Sequence, residues 1–122
     1  MFHFLEYDKR FELARAQESP DFLREMVYGR LYWPVGLTAK AKAQYEQYLQ
    51  EHMAQIASAF IRQKRGKELE WLLHTYPLTP DQRELFAGLM DQANASHASE
   101  ILSMLMEYQR VHFPSRRRSF DL

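Results

Sequence analysis

Valine, isoleucine and threonine together supply only nine of the 122 residues. Strands draw on β-branched side chains, so a chain this poor in them has little to build a sheet from. Leucine alone contributes fifteen residues, and Ala, Glu, Gln, Met, Lys and Arg make up much of the rest. These are strong helix formers. No stretch alternates apolar and polar residues for long enough to make a strand. The sequence therefore predicts an all-α chain of five to seven helices.

Prolines, glycines and capping residues divide the chain. A first helix is expected over about Glu6 to Gln17, with Tyr7, Phe11 and Ala14 along one face. Ser19-Pro20-Asp21 reads as a start: serine can accept from free amides, proline fits the first turn, and aspartate favours the positive end of the helix dipole. That second helix should run to about Tyr32 with Phe22, Met26, Gly29 and Trp33 on one side, and end at Pro34-Val35-Gly36. Thr38 caps the next segment, which reaches Lys64 without proline or glycine and carries Tyr45, Leu49, Met53, Ile56 and Phe60 at helical spacing. As one helix it would be about 39 Å long at 1.5 Å per residue; a break near Glu51-His52 is equally compatible with the pattern. Gly66 is the expected stop, since glycine enters the left-handed region freely. Lys67 to Tyr76 forms a short helix with Leu69, Leu72, Leu73 and Tyr76 inward. Thr79-Pro80-Asp81-Gln82 opens another, with Gln82 placed for a capping box. The last helix, about His97 to His112, is apolar over more than half its circumference and ends at Pro114.

Three units repeat one order: helix, short polar break, apolar second helix, then an aromatic residue before proline. The closing pairs are Trp33-Pro34, Tyr76-Pro77 and Phe113-Pro114. The three aromatics are expected to pack into hinges between hairpins. Such a pattern suits a stack of helical hairpins, with residues 1–114 as one helical-repeat domain and 115–122 as a tail.

The stretch from Ser99 to Phe113 with the ending Ser119-Phe120-Asp121-Leu122, and Arg30-Leu31-Tyr32-Trp33-Pro34 followed by Leu37-Thr38 and Tyr45-Glu46-Gln47-Tyr48-Leu49, resemble the C-terminal ankyrin-like helical repeats of certain Firmicutes proteins. Those proteins often carry leucine-rich repeats upstream. The resemblance implies an ankyrin-like or α-solenoid stack, a bacterial origin, and a role in protein–protein contact. The Thr-Pro-Leu-His type signature of true ankyrin repeats is absent here.

Chemistry is sparse. Without cysteine there is no disulfide, thiolate zinc site, iron–sulfur cluster or thiol nucleophile. Glu70 and His74 share a helical face, as do His97 and Glu100, but no third ligand accompanies either pair. The four glycines are too scattered for a phosphate loop. No serine sits in a nucleophile elbow. No catalytic, cofactor-binding or metal-ligating residue is expected. Lys and Arg total 16, as do Asp and Glu, so no basic excess points to nucleic acid. The one run of like charge, Arg116-Arg117-Arg118, reads first as a solubilising tail, since three charges without a wider basic face bind weakly, and second as the candidate binding element. No apolar run is long enough to span a bilayer, so neither membrane nor nucleic acid is expected as a partner, and the cytoplasm is the default compartment.

The expected function is thus a protein-interaction module without catalytic activity. The alternative is an irregular helical bundle holding a ligand or an active site that these motifs do not reveal. The expected partner is a protein. A homodimer is the other candidate, because Phe2, Phe4, Leu5, Tyr7, Phe11 and Leu13 crowd the N-terminal end.

Overall fold

A computed structural model of the chain describes Asp8 and residues 11–113. It is all-α: these residues contain seven α-helices, one short 3-10 turn and no strand. The chain divides into two compact units, Met1–Met53 and Ala54–Leu122.

The first unit contains α1 (Phe11–Gln17), α2 (Pro20–Tyr32) and α3 (Ala39–Glu51). Both expected caps form. The Ser19 hydroxyl accepts from the Phe22 amide at 3.1 Å, and the Thr38 hydroxyl from the Ala41 amide at 3.1 Å. Helices α1 and α2 each pack on α3. The core centres on Phe11, which meets Tyr45 and Tyr48 edge-on at centroid distances of 4.7 and 5.8 Å. Such edge-to-face pairs set the positive ring edge against the negative face.

The expected face of α2 requires correction. Its buried residues are Leu23, Arg24, Met26, Val27, Arg30 and Leu31. Phe22 is 37% exposed and Trp33 is 66% exposed. The inward stripe therefore includes Arg30, which a hydrophobicity pattern places outside. Beyond α2, the Leu37 amide donates to the Pro34 carbonyl at 3.1 Å, closing a tight turn. Gly36 takes φ of 72° there, the left-handed region that such a turn requires at its third position.

Residues 38–64 form two helices, not one. Helix α3 ends at Glu51 and α4 (Met53–Arg62) begins after His52. The His52 amide donates to the carbonyls of Tyr48 and Leu49, at 3.0 and 3.2 Å. Its ring stacks on Tyr48 at 4.1 Å, with Nδ1 2.9 Å from the Tyr48 carbonyl oxygen. Ring and amide thus converge on one acceptor, and the helical register ends. All five expected apolar positions, Tyr45, Leu49, Met53, Ile56 and Phe60, are buried.

The second unit holds the rest of α4, then α5 (Gly66–Thr75), the 3-10 turn Pro80–Gln82, α6 (Arg83–Ala95) and α7 (Ser99–His112). Helix α7 packs on α5 and α6. Leu69, Leu72, Leu73, Phe86, Leu89, Ile101 and Leu105 form the core. The Tyr108 hydroxyl accepts from the Leu78 amide at 2.9 Å and donates to the Leu73 carbonyl at 3.4 Å. It ties α7 to the chain on both sides of Pro77. The Thr79 amide donates to Gln82 Oε1 at 2.9 Å, as the capping-box pattern predicts.

Gly66 is not a helix stop. Helix α4 closes through Lys64, which takes φ of 56°. Arg65 N–H reaches back to the Phe60 carbonyl at 2.8 Å and Lys64 N–H to the Ile61 carbonyl at 2.9 Å. This bond pair is a Schellman motif. Gly66 instead starts α5, where a Cβ would lie 3.4 Å from Ile101 Cγ1. Helix α6 ends the same way, with His97 at φ of 56° and Ala98 N–H bonded to the Ala93 carbonyl at 3.0 Å.

Of the three aromatics preceding proline, only Phe113 is buried, against Phe86 at 5.2 Å and beneath the Arg83 guanidinium. Tyr76 is half-buried. Trp33 stands in solvent. The expected tail 115–122, Pro114, and the N-terminal Phe2, Phe4, Leu5 and Tyr7 lie outside the described residues.

Candidate functional site

In the first unit, Arg30 is held in the middle of the apolar stripe of α2 by a partner far away in sequence. Its Nε donates to Asp8 Oδ1 at 3.3 Å and Nη2 to Asp8 Oδ2 at 2.8 Å. The Tyr45 hydroxyl donates to the same Oδ1. Arg30 is 7% exposed and Asp8 8%. Two charges can be buried like this only when they are paired and their remaining hydrogen-bonding capacity is used. Arg30 spends that capacity on the loop after α2: Nη1 donates to the Trp33 carbonyl at 3.2 Å and Nη2 to the Val35 carbonyl at 2.8 Å. Burial pushes the Tyr45 hydroxyl above the ordinary tyrosine range, the bond to Asp8 adds to this, and the Arg30 charge partly offsets it. Tyr45 therefore stays a neutral donor and not a phenolate nucleophile. This constellation clamps the loop after α2.

The clamped loop presents apolar side chains to solvent. Trp33 and Val35 are each 66% exposed, within a run of exposed residues from Tyr32 to Gly36. The backbone is thus fixed by a buried charge pair while the side chains project outward.

Two concavities lie among the described residues of the second unit. One, of about 230 Å³, lies where the two Schellman turns meet, between Lys64 and His97, with Gly66, Ser99, Glu100 and Ile101 in its wall. Neither α5 nor α7, which start there, has a side-chain cap. Glu100 adds negative charge to a cleft that Lys64 makes positive. The second is a groove of about 470 Å³ between α4 and α6, over Ala54, Leu85, Gly88 and Leu89. It is crossed by Ser58 and Gln92: Gln92 Nε2 donates to the Ser58 carbonyl at 3.2 Å, and the Ser58 hydroxyl donates to Gln92 Oε1. An amide oxygen cannot take a proton at neutral pH, so Ser58 is not an activated nucleophile.

Two histidines pack on Tyr108. The His74 ring meets Tyr108 edge-on at 6.2 Å, and His112 stacks on it at 4.0 Å. Among the described residues no group of three His, Asp or Glu side chains could hold a metal ion, and no helix is long and apolar enough to cross a membrane. Exposed ion pairs hold two carboxyls below the usual range: Glu51 through Gln47 and then Arg15, and Glu107 through Arg110. The candidate binding arginines Arg116, Arg117 and Arg118, and His3, lie outside the described residues. No motif in the sequence marks the Asp8–Arg30–Tyr45 clamp. Its one signal in the sequence is the position of Arg30, three residues after Val27 and seven after Leu23 on the same apolar stripe. No protein-family model, no curated protein and no solved structure matches the chain.

Proposed function

We propose that this chain is a protein-interaction module: a helical scaffold, built of hairpins, that presents a fixed contact loop to a protein partner. The observation that carries this reading is the Trp33–Val35 tip, apolar and 66% exposed at both residues while its backbone is fastened by Arg30. Exposed aromatics on a pre-ordered loop suit binding, because tryptophan is enriched among the residues that dominate interfaces and an ordered loop loses less entropy on docking. The packing of α2 on α3 and of α6 on α7 supports the hairpin reading, in keeping with the resemblance to ankyrin-like helical repeats. In this reading the module works in the bacterial cytoplasm, on another protein or on a second copy of itself.

Site-specific photo-crosslinking in the native cell tests it. A photoreactive residue at position 33 or 35 should give a discrete protein adduct that the same residue at exposed Gln17 does not. Light scattering of the purified chain then separates a homodimer from a different partner. No adduct at either tip position removes the reading.

A further inference from the structure

The charges that flank the tip in sequence bear on what it meets. No aspartate or glutamate stands between Glu25 and Glu46. Within that window Arg30 is neutralised by Asp8, and two lysines remain, Lys40 and Lys42. Both are exposed, in the first turn of α3, and neither makes an ion pair among the described residues. A first turn normally attracts acidic residues, because the free amides there carry partial positive charge. This one has none. The two lysines project from either flank of the first turn of α3, with buried Ala41 between them, and follow closely in sequence on Trp33 and the Pro34–Leu37 turn that carries Val35.

Resting on the interaction-module reading, we propose that the Trp33–Val35 tip docks into an apolar pocket on a protein partner whose rim is acidic, with Lys40 and Lys42 facing the rim carboxylates. The tip is a projection and not a groove, so the partner supplies the concavity. Two lysines fall short of the four to eight basic residues with which proteins hold anionic membranes; the occupant is a protein surface and not a lipid one. The buried Asp8–Arg30 pair serves this contact by keeping the Trp33 and Val35 carbonyls bonded, so that both side chains are already in place when the partner arrives.

The test uses the full chain as bait for a displayed library of random peptides in a small folded scaffold, with Trp33→Ala, Val35→Ser and Lys40→Glu/Lys42→Glu as comparison baits. All three should fold like the parent by circular dichroism and melting temperature, since every altered side chain is exposed. Selected clones should be enriched in Asp and Glu beside apolar residues. They should lose at least about thirtyfold in affinity for Trp33→Ala, as for a hot-spot aromatic. Charge reversal should weaken them by about tenfold, less so in high salt. Clones that need Trp33 but show no acidic excess and tolerate charge reversal overturn the proposed chemistry and leave the module reading standing. Clones indifferent to Trp33 and Val35 overturn the tip as the contact surface. Trp33-dependent sedimentation with phosphatidylserine vesicles, without Trp33-dependent clones, overturns the protein partner in favour of a membrane surface. An absent cross-link at 33 and 35 is the separate result that removes the module reading itself.

Discussion

Replacing Arg30 with methionine removes the guanidinium but leaves the Asp8 carboxylate buried, with the Tyr45 hydroxyl as its one partner among the described residues. At the observed 2.8 Å the lost attraction is about 6 kcal/mol for an effective dielectric near 20. Desolvating both ions had already consumed much of that, so the net cost follows the measured range for breaking a buried pair, about 3–5 kcal/mol. A small domain has only about 5–15 kcal/mol in total, so this substitution should bring the first unit close to unfolding. The triple change Asp8→Leu/Arg30→Met/Tyr45→Phe removes every polar member of the clamp. It should return stability to within about 2 kcal/mol of the parent, because replacing all partners by apolar groups avoids the orphaned charge. The Trp33 and Val35 carbonyls then turn to water. Urea unfolding at pH 7, followed at 222 nm, measures both variants. A cost below about 1 kcal/mol for Arg30→Met refutes the argument. So does a triple variant less stable than the single one, including one that fails to fold.

Three further outcomes are expected. Leu73→Ala and Leu105→Ala, at fully buried positions, should each cost about 2–5 kcal/mol in the same assay; a loss under about 1 kcal/mol would mean the side chain has room to collapse into. Lys64→Gly and His97→Gly should each raise stability by about 0.5–1 kcal/mol, because the left-handed conformation costs an L-residue about 1–2 kcal/mol and glycine returns part of that as chain entropy; an unchanged or lower melting temperature contradicts this. Tyr45 has a folded pKa raised above its unfolded value of about 10, so its contribution is complete below pH 10 and is lost as pH rises beyond it. Between pH 10 and 12 the parent should lose up to about 1.4 kcal/mol per pH unit more than Tyr45→Phe, and parallel pH profiles for the two proteins would show that the hydroxyl is not held neutral.

The helices and their ends were legible wherever local chemistry decides them. Ser19 and Thr38 cap as their neighbours imply, and Tyr45, Leu49, Ile56 and Phe60 are inward because their spacing leaves no other face. The misread face of α2 marks the limit of that logic. Its inward stripe contains Arg30 because of Asp8, a carboxylate 22 residues earlier, and helical periodicity carries no information about a partner at that distance. Gly66 was misplaced for a different reason. The stop is set by which amide reaches the Phe60 carbonyl, and that is the amide of Arg65, which puts Lys64 in the left-handed position despite its side chain. Trp33 and Phe113 precede proline alike, yet only Phe113 has Phe86 and Tyr108 to pack against. The candidate site shared this fate: arginine triplets are conspicuous in sequence, whereas an exposed tip fixed from beneath becomes visible only once the clamp is assembled.

The bond between Tyr108 and the chain around Pro77 also bears on how the protein is made. A ribosome delivers the Leu78 amide thirty residues before the hydroxyl that receives it, and the faces of α5 and α6 before the α7 face that covers them. A nascent chain that has reached Ala95 has produced Leu69, Leu72, Leu73, Phe86 and Leu89 without Ile101 or Leu105. The three described helices of the first unit are complete by Glu51 and can assemble while synthesis continues. The second unit must wait for α7, with apolar surface open to chaperones in the interval. Its folding follows the synthesis of the first unit, and slow decoding between Ala95 and Tyr108 would prolong the exposed state.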